Sequence, residues 1–104
     1  MVNVKVLKKE DLIKSLSISG HANAGDYGND LVCAGVSSIS IGLANALDKL
    51  TQNLCTINID ENHVLIEVLD SDVSIQMILQ TGIIQLQTIE EQFPKNIKIK
   101  ITEV

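Results

Sequence analysis

Aromatic residues are nearly absent from this 104-residue chain: Tyr27 and Phe93 stand alone, and tryptophan does not occur. Any core must therefore be aliphatic, and no ladder of rings is available for stacking nucleobases. Basic residues are scarce as well. Eight Lys and Arg face thirteen Asp and Glu, a net charge of −5, which is the reverse of what a phosphate-binding face needs. Direct nucleic-acid binding is not expected. Cysteine occurs only as Cys33 and Cys55, too sparsely for a disulfide framework. With His21 and His63 the order is His-Cys-Cys-His at wide, unequal spacing. The paired short intervals of a zinc motif are missing, so no metal site is expected. Lys8, Lys9, Glu10 and Asp11 interrupt the early apolar residues, unlike a signal peptide. No uninterrupted apolar run approaches a membrane span, so no membrane association is expected, and the location expected is cytoplasmic.

What is present reads as one domain over residues 1–104. Val2, Val4 and Val6 alternate with Asn3 and Lys5, a strand signal. After a polar turn at Lys8 to Asp11, Leu16 and Ile18 alternate with Ser15, Ser17 and Ser19, completing a hairpin that runs to Gly20. His21 continues the serine parity and should project from that side. Ala22, Asn23, Ala24, Gly25, Asp26, Tyr27, Gly28 and Asn29 read as an irregular loop. Asp30 is a candidate N-cap. Apolar residues then recur at Val32, Val36, Ile39, Leu43, Leu47 and Leu50, one face of a helix. Gly35 and Gly42 within it suggest close packing at both positions, because glycine costs a helix about 1 kcal/mol against alanine.

Leu54 to Asp60 form a strand with Cys55, Ile57 and Ile59 on one face. Glu61-Asn62 turns into a return strand at Val64, Ile66 and Val68, and His63 beside the turn should be exposed. Ser71 or Asp72 caps a second helix, which runs to about Gln92 with an interruption at Gly82. Ile97, Ile99 and Ile101 alternate with lysines in a last strand. The order is ββαββαβ, an α+β fold. Two helices on a largely antiparallel or mixed sheet make a two-layer sandwich.

The chemistry concentrates between residues 20 and 37. With Asp30 as cap, Leu31, Val32 and Cys33 occupy the first helical turn, whose N–H groups lack intrahelical acceptors. The positive end of the helix favours thiolate over thiol there. The same donors can hold an oxyanion during acyl transfer, while His21 serves as base and then as acid. Asp30 is placed either to cap the helix or to orient His21. The competing reading makes Cys33 a small buried helix residue. Cys55 follows the apolar parity of its strand and reads as core. Ser37, one turn past Cys33, reads as a surface or back-bonded serine, and Tyr27 as a loop residue placed to cover a substrate or simply exposed.

Gly20-His21-Ala22 followed by Gly28-Asn29-Asp30-Leu31-Val32-Cys33-Ala34-Gly35-Val36-Ser37 closely resembles the signature of the ribosomal-processing cysteine protease family, Prp. The resemblance extends to the length and element order of the whole chain. It implies a bacterial cysteine endopeptidase that removes the N-terminal extension of a large-subunit ribosomal protein precursor. It further implies a homodimer without a cofactor. His21 and Cys33 match the family's histidine and cysteine, and Gly20, Asp30 and Ser37 match its signature glycine, aspartate and serine. Ala22 to Asn29 match the loop that shapes the substrate site. Gly35 departs from the alanine expected there. The alternative is a non-catalytic module that holds a ribosomal protein segment in the same groove.

Overall fold

A computed structural model describes residues 1–20 and 27–104, with the backbone alone over 27–30. The hairpin formed by β1 (Val2–Lys9) and β2 (Leu12–Ser19) turns on Glu10 and Asp11. Both have positive φ, 54° and 65°, the backbone that matches a two-residue turn to the twist of its strands. α1 (Tyr27–Leu50), β3 (Cys55–Asp60), β4 (His63–Val68), α2 (Val73–Gln92) and β5 (Ile97–Glu103) follow. The order ββαββαβ expected from the sequence is the order observed.

The five strands form one mixed sheet, β3-β4-β2-β1-β5. β1 pairs parallel with β5 and antiparallel with β2, and β4 lies antiparallel to both β2 and β3. Val2, Val4, Val6, Leu16, Ile18, Val64, Ile66 and Ile97 turn inward from the sheet. They meet Val32, Val36, Leu43 and Leu47 of α1, and Ile75, Leu79, Ile83 and Leu86 of α2, in one aliphatic core. The helices lie side by side on this face, so the domain is a two-layer α+β sandwich.

The register shifts between Leu7 and Lys8. The bulge restores Ile13 to the core face, where it is 2% exposed, although simple alternation would turn it outward. Gln76 of α2 completes the backbone pairing of this residue. Its Oε1 accepts from the Ile13 N–H at 2.8 Å and its Nε2 donates to the Ile13 carbonyl at 2.9 Å. Nε2 also donates to the Ser71 hydroxyl at 2.9 Å.

Several boundaries differ from the sequence reading. α1 begins at Tyr27, earlier than expected, and Asp30 sits inside the helix rather than capping it. Glycine and asparagine at Gly28 and Asn29 weaken a helix without forbidding it, and here the helix extends through them. α2 is capped by Asp72, whose side chain accepts from the Ile75 N–H at 2.8 Å. It runs unbroken through Gly82, where a Cβ would press on Leu43 at 2.8 Å. Gly82 is thus a point of contact between helices, not an interruption. Gly35 likewise approaches Ile89 closely, but Gly42 faces open space, contrary to the close packing expected there. Leu50 and Ile59 are 72% and 51% exposed and lie outside the core, because one ends α1 and the other belongs to an edge strand. By length and composition Leu31–Leu50 is apolar enough to cross a membrane, although its apolar residues are interrupted by polar ones. Here its apolar stripe is spent on the sheet and α2.

Candidate active site

Val32 and Val36 lock the N-terminal part of α1 onto the sheet, at 1% and 5% exposure. Cys33 is the next position around the helix and is half-buried. Because α1 starts at Tyr27, Cys33 falls in its second turn. Its N–H belongs to the regular helical ladder, and the donors without intrahelical acceptors sit one turn earlier, at residues 27–30. The expected oxyanion donors at Leu31 to Cys33 are corrected accordingly.

A cavity of about 140 Å³ opens beside Cys33. Val2, Ile18, Val36 and Val64 give it an apolar floor. Gly20, Ser37, Ser40 and Ile41 line it, and Ile59 to His63 wall it off from the β3–β4 side. Gly20, Cys33 and Ser37, separated in sequence, therefore meet at one site. Ser37 is exposed at the cavity. Ser40 is buried, and its hydroxyl donates to the Val36 carbonyl at 2.8 Å.

Gly20 fixes the other side of the site. Its φ is 94°, in the left-handed region, and a Cβ there would run into the Met1 carbonyl oxygen. Its N–H donates to the Asn62 carbonyl at 3.3 Å. The N-terminus, the end of β2 and the β3–β4 turn are thereby drawn together beneath Cys33. The strand pairing ends at Ser19, and the side on which His21 was expected to project lies outside the described residues. His21 and residues 22–26 lie outside the described residues, as do the side chains of Tyr27, Asn29 and Asp30.

His63 is half-buried rather than exposed. Its Nε2 lies 2.9 Å from the Ser17 hydroxyl. Ser17 alternates with the core residues Leu16 and Ile18, so this pair occupies the sheet face away from the helices. His63 shapes the cavity rim while its ring is engaged elsewhere. The rim residues Ile59 to Asn62 were missed by sequence reasoning, because no local pattern links a hairpin tip to a helix so distant in sequence.

Neither cysteine is disulfide-bonded. Cys55 packs half-buried against the core, as its strand parity suggested. Burial pushes its thiol up from the ordinary 9.0, and the Asp72 carboxylate adds to the shift.

The family model described as Cysteine protease Prp matches residues 1–98. The chain belongs to the cysteine protease Prp family. It is thus a cysteine protease, and its sandwich is the Prp fold. The ribosomal processing cysteine protease Prp of Staphylococcus aureus (strain Mu50 / ATCC 700699) is 39% identical over 103 residues, covering 95% of this chain and 97% of the relative. The Bacillus subtilis (strain 168) Prp is 31% identical over 107 residues, covering 95% and 96%. The crystal structure of the S. aureus Prp with a substrate peptide superposes with a TM-score of 0.90 at 35% identity, over 98% of this chain and 100% of that one. The S. aureus structure with a covalently linked product peptide gives 0.88 at 37% identity, over the same shares.

Proposed function

We propose that this Prp-family protease removes the N-terminal extension of a large-subunit ribosomal protein precursor, using Cys33 as nucleophile and His21 as its base. The observation that carries the reading is the convergence of Gly20, Cys33 and Ser37 on one cavity, with the remaining cysteine driven toward its thiol form. A covalently linked product peptide in the S. aureus relative supports a covalent route. The thiolate of Cys33 attacks the scissile carbonyl carbon, and His21 holds the proton that the thiol gave up. As the tetrahedral adduct collapses, the carbon–nitrogen bond breaks and His21 protonates the leaving amine. Water, deprotonated by His21, then hydrolyses the thioester and frees the thiol. Such chemistry needs no cofactor. The same reading has the enzyme work in the cytoplasm as a homodimer, without direct contact to nucleic acid. Asp30 orients His21.

The test is cleavage of the precursor's N-terminal peptide by the wild type, Cys33→Ala and His21→Ala. Cleavage should vanish in Cys33→Ala and fall by at least about a hundredfold in His21→Ala. Retained cleavage in Cys33→Ala overturns the assignment, and peptide binding without cleavage by the wild type favours a binding module. Sedimentation of the purified protein checks the dimer.

A further inference from the structure

β5 is an edge strand, paired only with β1 among the described residues. The Val2 N–H donates to the Asn96 carbonyl at 2.9 Å, and the Val104 N–H donates to the Lys8 carbonyl at 2.8 Å. Even-numbered residues of β5 therefore turn their backbone groups toward β1, and Ile97, Ile99, Ile101 and Glu103 turn theirs outward. Such a row is a template on which another chain can add as a strand. One of its donors is already taken. The Ile99 N–H donates to Glu90 Oε2 at 2.8 Å, so a carboxylate from the last turn of α2 closes the edge at that point. Further along, the same edge is apolar. Ile101 and Ile84 are 49% and 61% exposed and line one shallow cleft.

We infer that Glu90 is a guard that keeps the β5 edge from pairing with the β5 edge of a second copy. The side chains define the pairing that it blocks. In an antiparallel pair centred on Ile101, that residue meets its own copy, with Ile84 of each molecule alongside. Lys100 then faces Thr102 and Lys98 faces Val104, so no lysine opposes a lysine. This register needs the Ile99 N–H to donate to the Glu103 carbonyl of the second copy, and Glu90 holds that N–H. A register centred on Lys100 also needs it, and would set that lysine against its own copy. A hydrogen bond to a carboxylate is about twice as strong as one between neutral groups, so the carbonyl of a second copy does not displace Glu90. The guard is independent of bond cleavage. It withholds the β5 edge from the dimer proposed above, which must use another face, and stops the sheet from extending between molecules.

The experiment compares the wild type, Glu90→Ala and Glu90→Gln by sedimentation over a wide range of protein concentration, with amide exchange at Ile99 followed by NMR. In dilute Glu90→Ala the Ile99 N–H should exchange at least about tenfold faster than in the wild type. In concentrated Glu90→Ala, species of twice the wild-type mass should appear. Glu90→Gln keeps an acceptor oxygen, so both readings should stay close to the wild type. Adding Ile101→Lys to Glu90→Ala sets two lysines face to face at the centre of the pair. It should abolish the association and leave the fast exchange at Ile99. Wild-type mass at every concentration of Glu90→Ala would overturn the inference, as would association that survives Ile101→Lys. Association of Glu90→Gln to the same extent as Glu90→Ala would also overturn it, because the hydrogen bond would then not be what closes the edge. An equal rise in exchange at Leu79 and Leu86, buried in the middle of α2, would mark general damage and count against it likewise.

Discussion

The two cysteines carry the same thiol in different surroundings, and that difference predicts their chemistry. Cys55 is half-buried against the core, and both burial and the Asp72 carboxylate hold it in its neutral form. Thiolate, not thiol, is the nucleophile, and its fraction falls about tenfold for each unit that the pKa lies further above ambient pH. Cys33 opens onto the groove. Alkylation with a small haloacetamide at pH 7.5 should therefore modify Cys33 first and Cys55 more slowly, as followed by peptide mass mapping. The Cys55 rate should keep climbing as pH is raised through and beyond 9.0, its ordinary value, because its own value lies higher. Equal rates at neutral pH would contradict Cys33 as the reactive nucleophile of the pair. Composition alone could not separate these residues: the parity of β3 marked Cys55 as core, whereas its expected place near a helix start and the Gly-His and Val-Cys-Ala pattern singled out Cys33.

At the scale of elements, the alternating strands were legible because each buries one face. Val2, Val4 and Val6 read correctly from spacing alone, as did Leu16 and Ile18. The start of α1 was not legible, since tyrosine, glycine and asparagine all weigh against a helix locally and only the fold settles the boundary. Placing Asp30 inside the helix moved the free backbone donors one turn upstream of Cys33, and with them the expected oxyanion site. The bulge in β2 was equally hidden, because the residue that repairs it sits on another element. Gln76 looks in sequence like an ordinary polar helix position, yet it is 7% exposed and joins both backbone groups of Ile13. Removing it strands a buried donor and a buried acceptor, each costing about 1–3 kcal/mol. Gln76→Leu should lower stability by about 2–4 kcal/mol, after some return from the added apolar side chain. Gln76→Glu keeps the acceptor for the Ile13 N–H but loses the donor to its carbonyl, so it should also destabilise. Urea unfolding midpoints measure both, and an unchanged midpoint in Gln76→Leu would mean that water replaces the amide.

For the whole molecule, element order could be read from the sequence but strand order could not. The parallel pairing of β1 with β5 joins the two ends of the chain, a contact with no local signal. The antiparallel pairing of β2 with β4 brings the β3–β4 turn to Gly20 and so places Asp60 and Glu61 at the rim of the groove. These carboxylates belong to a chain whose net charge is −5. The precursor proposed as substrate is a ribosomal protein, which binds RNA phosphates and is correspondingly cationic, so on that proposal the field of the enzyme should draw it toward Cys33. Screening sets the size of the effect, since the Debye length shortens from about 30 Å at 0.01 M salt to about 10 Å at 0.1 M. Raising salt across that range should lower kcat/KM several-fold for the intact precursor, chiefly through KM. A short neutral peptide with the same scissile sequence should change little. Asp60→Asn/Glu61→Gln should flatten the salt slope for the precursor without altering kcat, because neither side chain takes part in bond cleavage. A slope unchanged in that variant would place the attraction in the diffuse charge of the surface and not at the groove, and a precursor insensitive to salt would remove electrostatic steering from the account altogether.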